Sequence, residues 1–112
     1  MAFRGDMNAL ILATLNNGAL HGYEIVKRIR EAGGAGKLSE GQIYPYLHKL
    51  EEQGLVTAHW QTNTGAAPRR VYDLTPNGHR ELDQQRAAWD KFAKGVASLL
   101  AVKAPKTEGG NV

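Results

Sequence analysis

Polar side chains that donate or accept hydrogen bonds concentrate in one short segment, and two adjacent arginines follow further along the chain. The candidates in the segment are Ser39, Gln42, Tyr44, Tyr46, His48 and Lys49. At the start of a helix, such amide, hydroxyl and ammonium groups can reach base edges and phosphate oxygens. The arginines, Arg69 and Arg70, suit a narrow minor groove or its phosphates. These residue types predict a surface that binds duplex DNA, although Tyr44 and Tyr46 could instead pack against a neighbouring helix.

The segment should form a helix whose apolar side packs inward. Ser39, followed three residues later by Gln42, is a capping-box pattern. Gln42 could also pair with adenine, so capping and base contact compete for the same side chain. Gly54 is placed to end the helix, and Pro45 should bend it or loosen its first turn. The apolar positions repeat at helical spacing: Ile43, Leu47 and Leu50.

The two arginines fall in a predicted β-hairpin. Two β-favouring runs, residues 55–60 and 70–74, flank a turn that contains glycine, proline and Arg69. Successive side chains of a strand point to opposite faces, so only one of Arg69 and Arg70 can face the DNA, and we favour Arg69. Three other cations could add backbone contacts or simply line a solvated face: Lys27, Arg28 and Lys37.

Three further helices are predicted around this motif. The first spans residues 7–15 and is capped by Asp6, and the second spans residues 22–32. Thr75, followed by a proline, is an N-cap with a first-turn proline, so a last long helix should cover residues 76–102. The order of three helices, a hairpin and a long helix predicts an α+β, mostly helical fold of the winged helix-turn-helix type.

The last helix carries an apolar stripe that is patterned for a second copy. Two sets of positions are each spaced by seven residues, Leu82, Trp89 and Val96 and then Gln85, Phe92 and Leu99, and only Gln85 among them is polar. The helix could instead pack back onto its own domain. Because the other elements already supply a small core, we favour homodimerisation through the five apolar positions, Leu82, Trp89, Phe92, Val96 and Leu99. A two-fold dimer would present two recognition helices to an inverted-repeat operator.

The 112 residues are predicted to form one compact unit with three parts. Residues 1–75 are the DNA-binding domain, residues 76–102 the dimerisation helix and residues 103–112 a flexible tail. The formal net charge of +3 permits a nucleic-acid partner without requiring one, so DNA contacts must come from local placement of cations. No apolar stretch is long enough to span a bilayer, and the absence of cysteine fits a reducing compartment, so we expect a cytoplasmic protein.

The sequence indicates neither an enzyme nor a cofactor. No nucleophile–base arrangement is visible. The glycines at 33–36 follow a helix rather than a strand, and the Gly-Lys-Ser/Thr sequence of a phosphate loop does not follow them, so we interpret them as a connector. The histidines are scattered: His21, His48, His59 and His79. A metal-responsive regulator of the same fold remains one alternative. A winged-helix module that binds proteins is a second.

Three segments of the chain resemble the PadR family of bacterial transcription regulators. They are HGYEIVKRI at 21–29, SEGQIYPYLHKLEEQGLV at 39–56 and GAAPRRVYDLTPNG at 65–78. The resemblance covers roughly residues 7–100, and a single helix after the hairpin is similar to the short branch of the family. It implies a dimeric winged-helix repressor that leaves its operator when an effector or stress signal arrives.

The resemblance also implies an effector site. In the short branch, some regulators of drug-efflux genes bind flat aromatic compounds between paired tryptophans at the dimer interface. Trp89 falls at the matching position, with Phe92 beside it, although Trp89 could equally serve as plain dimer core. Two departures weaken the match. The turn of the predicted hairpin has Gly65-Ala66-Ala67-Pro68 in place of consecutive glycines, and Ala93 offers no carboxylate to a cationic ligand.

Overall fold

A computed structural model describes residues 4–32, 38–62, 65 and 67–103, and the structural statements below concern this part of the chain. In chain order its elements are α1 (Arg4–Thr14), β1 (Leu20–His21), α2 (Gly22–Glu31), α3 (Glu40–Glu52), β2 (Val56–Gln61), β3 (Arg69–Leu74) and α4 (Pro76–Ala101). The expected α+β, mostly helical fold is confirmed. Three helices and a β2–β3 hairpin, here called the wing, are followed by one long helix.

The strands form one antiparallel sheet in the order β1-β3-β2. The wing is in register from Gln61 opposite Arg69 to Val56 opposite Leu74. The short strand β1 adds Leu20 and His21 to the free edge of β3. The sequence gives no signal for β1, because two residues are too few to show an alternating pattern.

Several boundaries differ from the sequence prediction. Helix α1 begins at Arg4, so Asp6 lies inside the helix and is not its N-cap. Strand β3 begins at Arg69, which the sequence pattern assigns to the turn. Helix α3 runs without interruption through Pro45. The predictions made for residues 33–37, for Ala66 and for the tail beyond residue 103 lie outside the described residues.

The core lies between the first three helices and the sheet. Its largest fully buried side chains are Ile11, Leu12, Leu15, Ile25, Ile29, Ile43, Leu47, Leu50 and Val56. Each such side chain contributes about 1.5–3 kcal/mol relative to exposure. The predicted inward face of α3 is therefore confirmed, and its burial forces the opposite, polar face of the helix outward.

Helix α3 ends in a hydrogen-bonded motif that starts the wing. Gly54 has φ +76°, the left-handed conformation that favours glycine, as its predicted position after the helix requires. The N–H of Gly54 donates to the carbonyl of Glu51 at 3.0 Å, and the N–H of Leu55 donates to the carbonyl of Leu50 at 3.0 Å. This pair of bonds is a Schellman motif, and it sets the direction in which the chain leaves α3.

Helix α4 begins against this same turn. The Thr75 hydroxyl oxygen accepts a hydrogen bond from Gly78 N–H at 3.0 Å, which confirms the predicted N-cap. The same hydroxyl donates to the carbonyl of Gly54 at 2.6 Å, and Thr75 N–H donates to Leu55 at 3.1 Å. A Cβ on residue 78 would lie 2.0 Å from the Leu55 carbonyl oxygen, so only glycine fits here. The end of α3, the base of the wing and the start of α4 are thus joined at one point.

None of the helices in the described residues is both long enough and apolar enough to span a bilayer.

Gly78→Ala should lower the free energy of unfolding by about 1–3 kcal/mol, because the added methyl group must push the α3–wing turn away from α4. Gly41→Ala is the matched control, since a Cβ there meets nothing closer than 3.9 Å. This control should leave stability unchanged or raise it by up to about 1 kcal/mol. Urea unfolding followed by circular dichroism measures both. Equal stability of the two variants would contradict the close approach at Gly78.

Candidate nucleic-acid interface

The outward face of α3 carries most of the predicted DNA-binding side chains. Gln42, Tyr44, His48 and Lys49 are exposed, and Ser39 is exposed at the N-cap. Tyr46 is half-buried and packs against the core. The structure therefore brings five of the six candidates to the surface at or along one helix and assigns Tyr46 partly to packing.

Gln42 is held by the start of its own helix. Its Oε1 atom accepts a hydrogen bond from Ser39 N–H at 2.9 Å, which is the reciprocal half of a capping box. The same oxygen accepts a hydrogen bond from the Ser39 hydroxyl at 3.3 Å, so both of its lone pairs are used and only the amide N–H groups can bind another partner. A bidentate contact to adenine needs an acceptor as well as a donor, so it would require Gln42 to leave the cap.

Tyr44 joins the starts of two helices. Its hydroxyl donates to Glu40 Oε2 at 3.1 Å, and a Cβ on Gly22 would lie 3.1 Å from the hydroxyl oxygen. Burial, together with the hydrogen bond and charge of Glu40, raises the pKa of Tyr44 above that of a free tyrosine. The side chain nevertheless remains 43% exposed. Tyr44 is thus a neutral phenol that contacts α2 and still reaches solvent.

A groove of about 730 Å³ separates the starts of α2 and α3 from the wing. Six of its lining residues are His21, Tyr23, Glu40, Tyr44, Trp60 and Arg69. The rings of His21 and Tyr23 stack with centroids 6.2 Å apart and planes inclined by 18°. Exposed aromatic and cationic side chains of α2, α3 and the wing line this groove.

Arg69 is one of the two wing arginines that line the groove. Its Nη1 atom lies 3.1 Å from Nε2 of His21 on β1, and because a guanidinium only donates, the histidine nitrogen accepts. The rest of the Arg69 side chain is exposed. His21 therefore orients Arg69 without neutralising its charge.

Arg70, the next residue of β3, also lines the groove, and its side chain is engaged by two neighbours. Its Nη2 atom lies 3.2 Å from Glu51 Oε2 at the end of α3, and its guanidinium carbon lies 5.5 Å from the ring centroid of Trp60. Burial raises the pKa of the neighbouring Tyr72, and the Arg70 charge opposes that rise. Sequence reasoning missed the Glu51–Arg70 pair, because local spacing carries no signal for residues in separate elements.

The other cations near α2 are partly occupied. Arg28 pairs with Glu24 one turn earlier at 3.1 Å, as expected of a solvated helix face. Arg30 donates from Nε to the carbonyl of Leu38 at 2.7 Å and so ties α2 to the start of α3. Lys27 is exposed, and Lys37 lies outside the described residues.

Helix α4 leaves the core after its first turns. Leu82 is 5% exposed and packs in the core of its own chain, so the exposed part of the heptad stripe begins beyond it. Phe92 is 64% exposed and Leu99 is 76% exposed, and Trp89 and Val96 are exposed as well. The rings of Trp89 and Phe92 meet edge to face with centroids 6.1 Å apart. An unbroken apolar surface therefore runs along the free half of α4.

The described residues contain no group of three or more histidine, aspartate or glutamate side chains that could hold a metal ion. His48 pairs instead with Glu52 at 3.2 Å on the surface of α3.

The fold and the exposed face of α3 together define a winged helix-turn-helix protein, and comparison with known proteins gives its family. The family model described as "Transcriptional regulator PadR-like family" matches residues 11–84. The chain belongs to this family, which confirms the resemblance seen in its motifs. It is a transcriptional regulator and not an enzyme.

Two curated relatives show how far the similarity extends. The transcriptional regulator Rv3488 of Mycobacterium tuberculosis is 34% identical over 93 residues, which cover 83% of this chain and 84% of the relative. The negative transcriptional regulator PadR of Bacillus subtilis is 34% identical over 73 residues, 64% of this chain but only 40% of that protein. The chain therefore spans less than half the length of the Bacillus subtilis regulator.

Solved structures share the whole arrangement. A PadR family regulator from Eggerthella lenta has a TM-score of 0.72 at 33% identity, over 89% of this chain and 86% of that one. A PadR-like regulator from Bacillus cereus has a TM-score of 0.81 over 90% of this chain and 97% of that one. Its identity of 24% makes it evidence for the fold alone.

Gln42→Ala should lower the free energy of unfolding by about 1 kcal/mol, because Ser39 N–H loses its partner at the start of α3. Gln42→Glu should keep full stability, since its carboxylate accepts the same bond and its charge suits a helix N-terminus. Urea unfolding of both variants measures the difference. An equal loss in the two would show that the cap contributes nothing.

Proposed function

We propose that this chain is a homodimeric repressor that binds an inverted-repeat operator in duplex DNA and is released from it by a planar aromatic effector. The observation that carries the DNA-binding proposal is the polar, exposed face of α3 lying beside an exposed wing arginine. The Bacillus subtilis relative is a negative transcriptional regulator, which supports the proposal that this chain represses.

In the proposed complex, α3 enters the major groove with its first turns against the bases. Gln42 and His48 face base edges, and Ser39, Tyr44 and Lys49 bind phosphate oxygens. Tyr46 adds its exposed edge to the contact while its ring stays packed. These roles fit donors of different reach: the tyrosine hydroxyls and the lysine extend beyond the short side chains at the cap.

The groove between α2, α3 and the wing is the proposed seat of a DNA backbone. The amino end of α2 borders it, and the free N–H groups of a first helical turn suit phosphate oxygens. Arg69 extends from the wing on the opposite wall toward the neighbouring minor groove. The carboxylate of Glu40, which would repel phosphate, is partly satisfied by the hydroxyl of Tyr44.

Homodimerisation is proposed through the exposed half of α4. A monomer would leave Trp89, Phe92, Val96 and Leu99 in water, and a second copy of the same stripe would cover them. Leu82 anchors the helix to its own core and so fixes where the stripe leaves it. In this scheme residues 1–75 bind DNA, residues 76–102 dimerise and residues 103–112 are a tail.

The charges of α4 favour an antiparallel pair. Residues 81–90 hold three acids and one arginine, and residues 91–103 hold three lysines and no acid. An antiparallel partner would set the acidic half of each helix beside the basic half of the other, whereas a parallel partner would set like charges together.

The proposed effector site lies between the two copies of Trp89, with Phe92 at its edge. A flat aromatic molecule wedged between the helices would change the separation of the two α3 helices. It can shift the population only as far as it binds the DNA-incompetent dimer more tightly.

A cytoplasmic location follows from the DNA partner.

The direct test is fluorescence anisotropy of labelled DNA from upstream of the gene, titrated with protein over a salt series. We expect saturable binding at two chains per site and a steep linear fall of log K with log salt. If this DNA fails, a selection from random duplexes follows. Failure of both would contradict the proposal and favour a protein-interaction module.

Arg69→Ala should weaken binding to operator and random duplexes alike, because each loses the same phosphate interaction. The salt slope should fall by about 1, the change expected when one phosphate is no longer neutralised. Lys91→Ala, on α4 away from the wing, is the control and should leave the slope unchanged. The same anisotropy series measures both variants. An unaltered slope for Arg69→Ala would remove this residue from the interface.

Trp89→Phe should remove the quenching of tryptophan fluorescence by a planar aromatic dye and leave DNA affinity unchanged. Trp60→Phe is the matched control, because it deletes the only other tryptophan and leaves Trp89 as the reporter. The control should keep the dye response. If the dye quenches tryptophan fluorescence only when Trp60 is present, the aromatic site lies on the wing. If the dye has no effect on DNA binding, Trp89 serves only in packing.

A further inference from the structure

The pair formed by Glu51 and Arg70 links the two elements that the proposed function needs at a fixed angle. Glu51 lies in the last turn of α3 and Arg70 lies near the tip end of β3, and their side chains meet at 3.2 Å. Both are half-buried, at 34% and 36% exposure. Water therefore screens the pair less than it screens the His48–Glu52 pair on α3, whose side chains are 74% and 65% exposed.

Two aromatic rings of the sheet hold Arg70 in place. Trp60 is its cross-strand neighbour, and the guanidinium lies 5.5 Å from that ring's centroid. Tyr72 follows two residues later on the same face of β3, close enough for Arg70 to influence its titration. Although Arg70 lines the groove, its guanidinium thus already has an acidic partner and a stacking partner.

An isolated two-stranded hairpin is only marginally ordered in water, so the orientation of the wing must come from contacts with the body of the protein. Toward its base the wing is fixed by Thr75 and by packed residues such as Val56. Nearer the tip, Glu51–Arg70 and the Arg69–His21 contact join β3 to the helical side.

We propose that Arg70 is a positioning residue that clamps the wing to the recognition helix α3, and that it does not itself contact DNA. This inference rests on the proposed DNA-binding function and gives a role to Arg70, the arginine that the sequence analysis did not favour for DNA contact. The clamp sets the distance between the α3 side chains and Arg69. Loss of the clamp should therefore harm operator binding, which needs both elements at once, more than it harms loose binding to any duplex.

The direction in which Glu51→Ala changes operator affinity distinguishes the clamp from simple electrostatics. Simple electrostatics predicts that removing an acid near DNA tightens binding. The clamp predicts instead that Glu51→Ala weakens operator binding roughly tenfold, as Arg70→Ala does, and that the double variant is no weaker than either single one. Glu52→Ala is the matched control, because Glu52 is the adjacent acid on the same helix and pairs only with exposed His48 in the described structure. It should bind operator as tightly as wild type or more tightly.

The experiment measures affinity for operator and for random duplex over a salt series, with the full chain. Arg70→Ala should keep the wild-type salt slope and random-duplex affinity, which also shows that the variant is folded. Glu51→Gln, which keeps a hydrogen-bond acceptor, should recover part of the operator affinity. Two results would overturn the clamp and leave the proposed function standing. One is that Arg70→Ala lowers the salt slope and loses affinity equally for operator and random duplex. The other is that Glu51→Ala binds operator more tightly than wild type. A wild-type chain without salt-dependent DNA binding would overturn the proposed function and the clamp with it.

Discussion

The approach of Gly78 to the carbonyl of Leu55 is the contact on which the arrangement of this molecule depends. The turn after α3 supplies that carbonyl, and Thr75 between the wing and α4 bonds to the same turn. The end of α3, the base of the wing and the start of the long helix are therefore held together at a few atoms. A side chain at residue 78 would separate them. A movement of α4 at this junction would displace α3 as well, and the proposed effector site would act on the proposed DNA interface by this route.

Features encoded by adjacent residues could be predicted from the sequence. The Ser39–Gln42 cap, the left-handed Gly54 and the Thr75 N-cap each follow from residue types a few positions apart, and each is present. The inward side of α3 follows from helical periodicity in the same way. Such local agreement is strong here because caps, breaks and apolar spacing all favour the same boundaries.

Features that depend on distant partners could not be predicted. The Glu51–Arg70 pair joins two elements, and β1 exists only because β3 offers it an edge. Periodicity placed Leu82 in the dimer stripe, but the first turns of α4 pack against the domain, so this leucine belongs to the core. The heptad pattern identified an apolar face without showing where that face passes from the core of one chain to the surface. The site is thus foreseen as a set of exposed side chains, while the partners that orient them appear only in three dimensions.

The central claim is that two copies, joined through α4, present two α3 helices to one operator. Sedimentation velocity of the protein alone and with a labelled operator duplex tests it most directly. We expect a dimer in the absence of DNA, two chains on each duplex, and loss of both dimer and tight binding in Val96→Glu, with the secondary structure of the variant intact. A monomer that binds the operator as a single chain, with an affinity that Val96→Glu leaves unchanged, would contradict the claim.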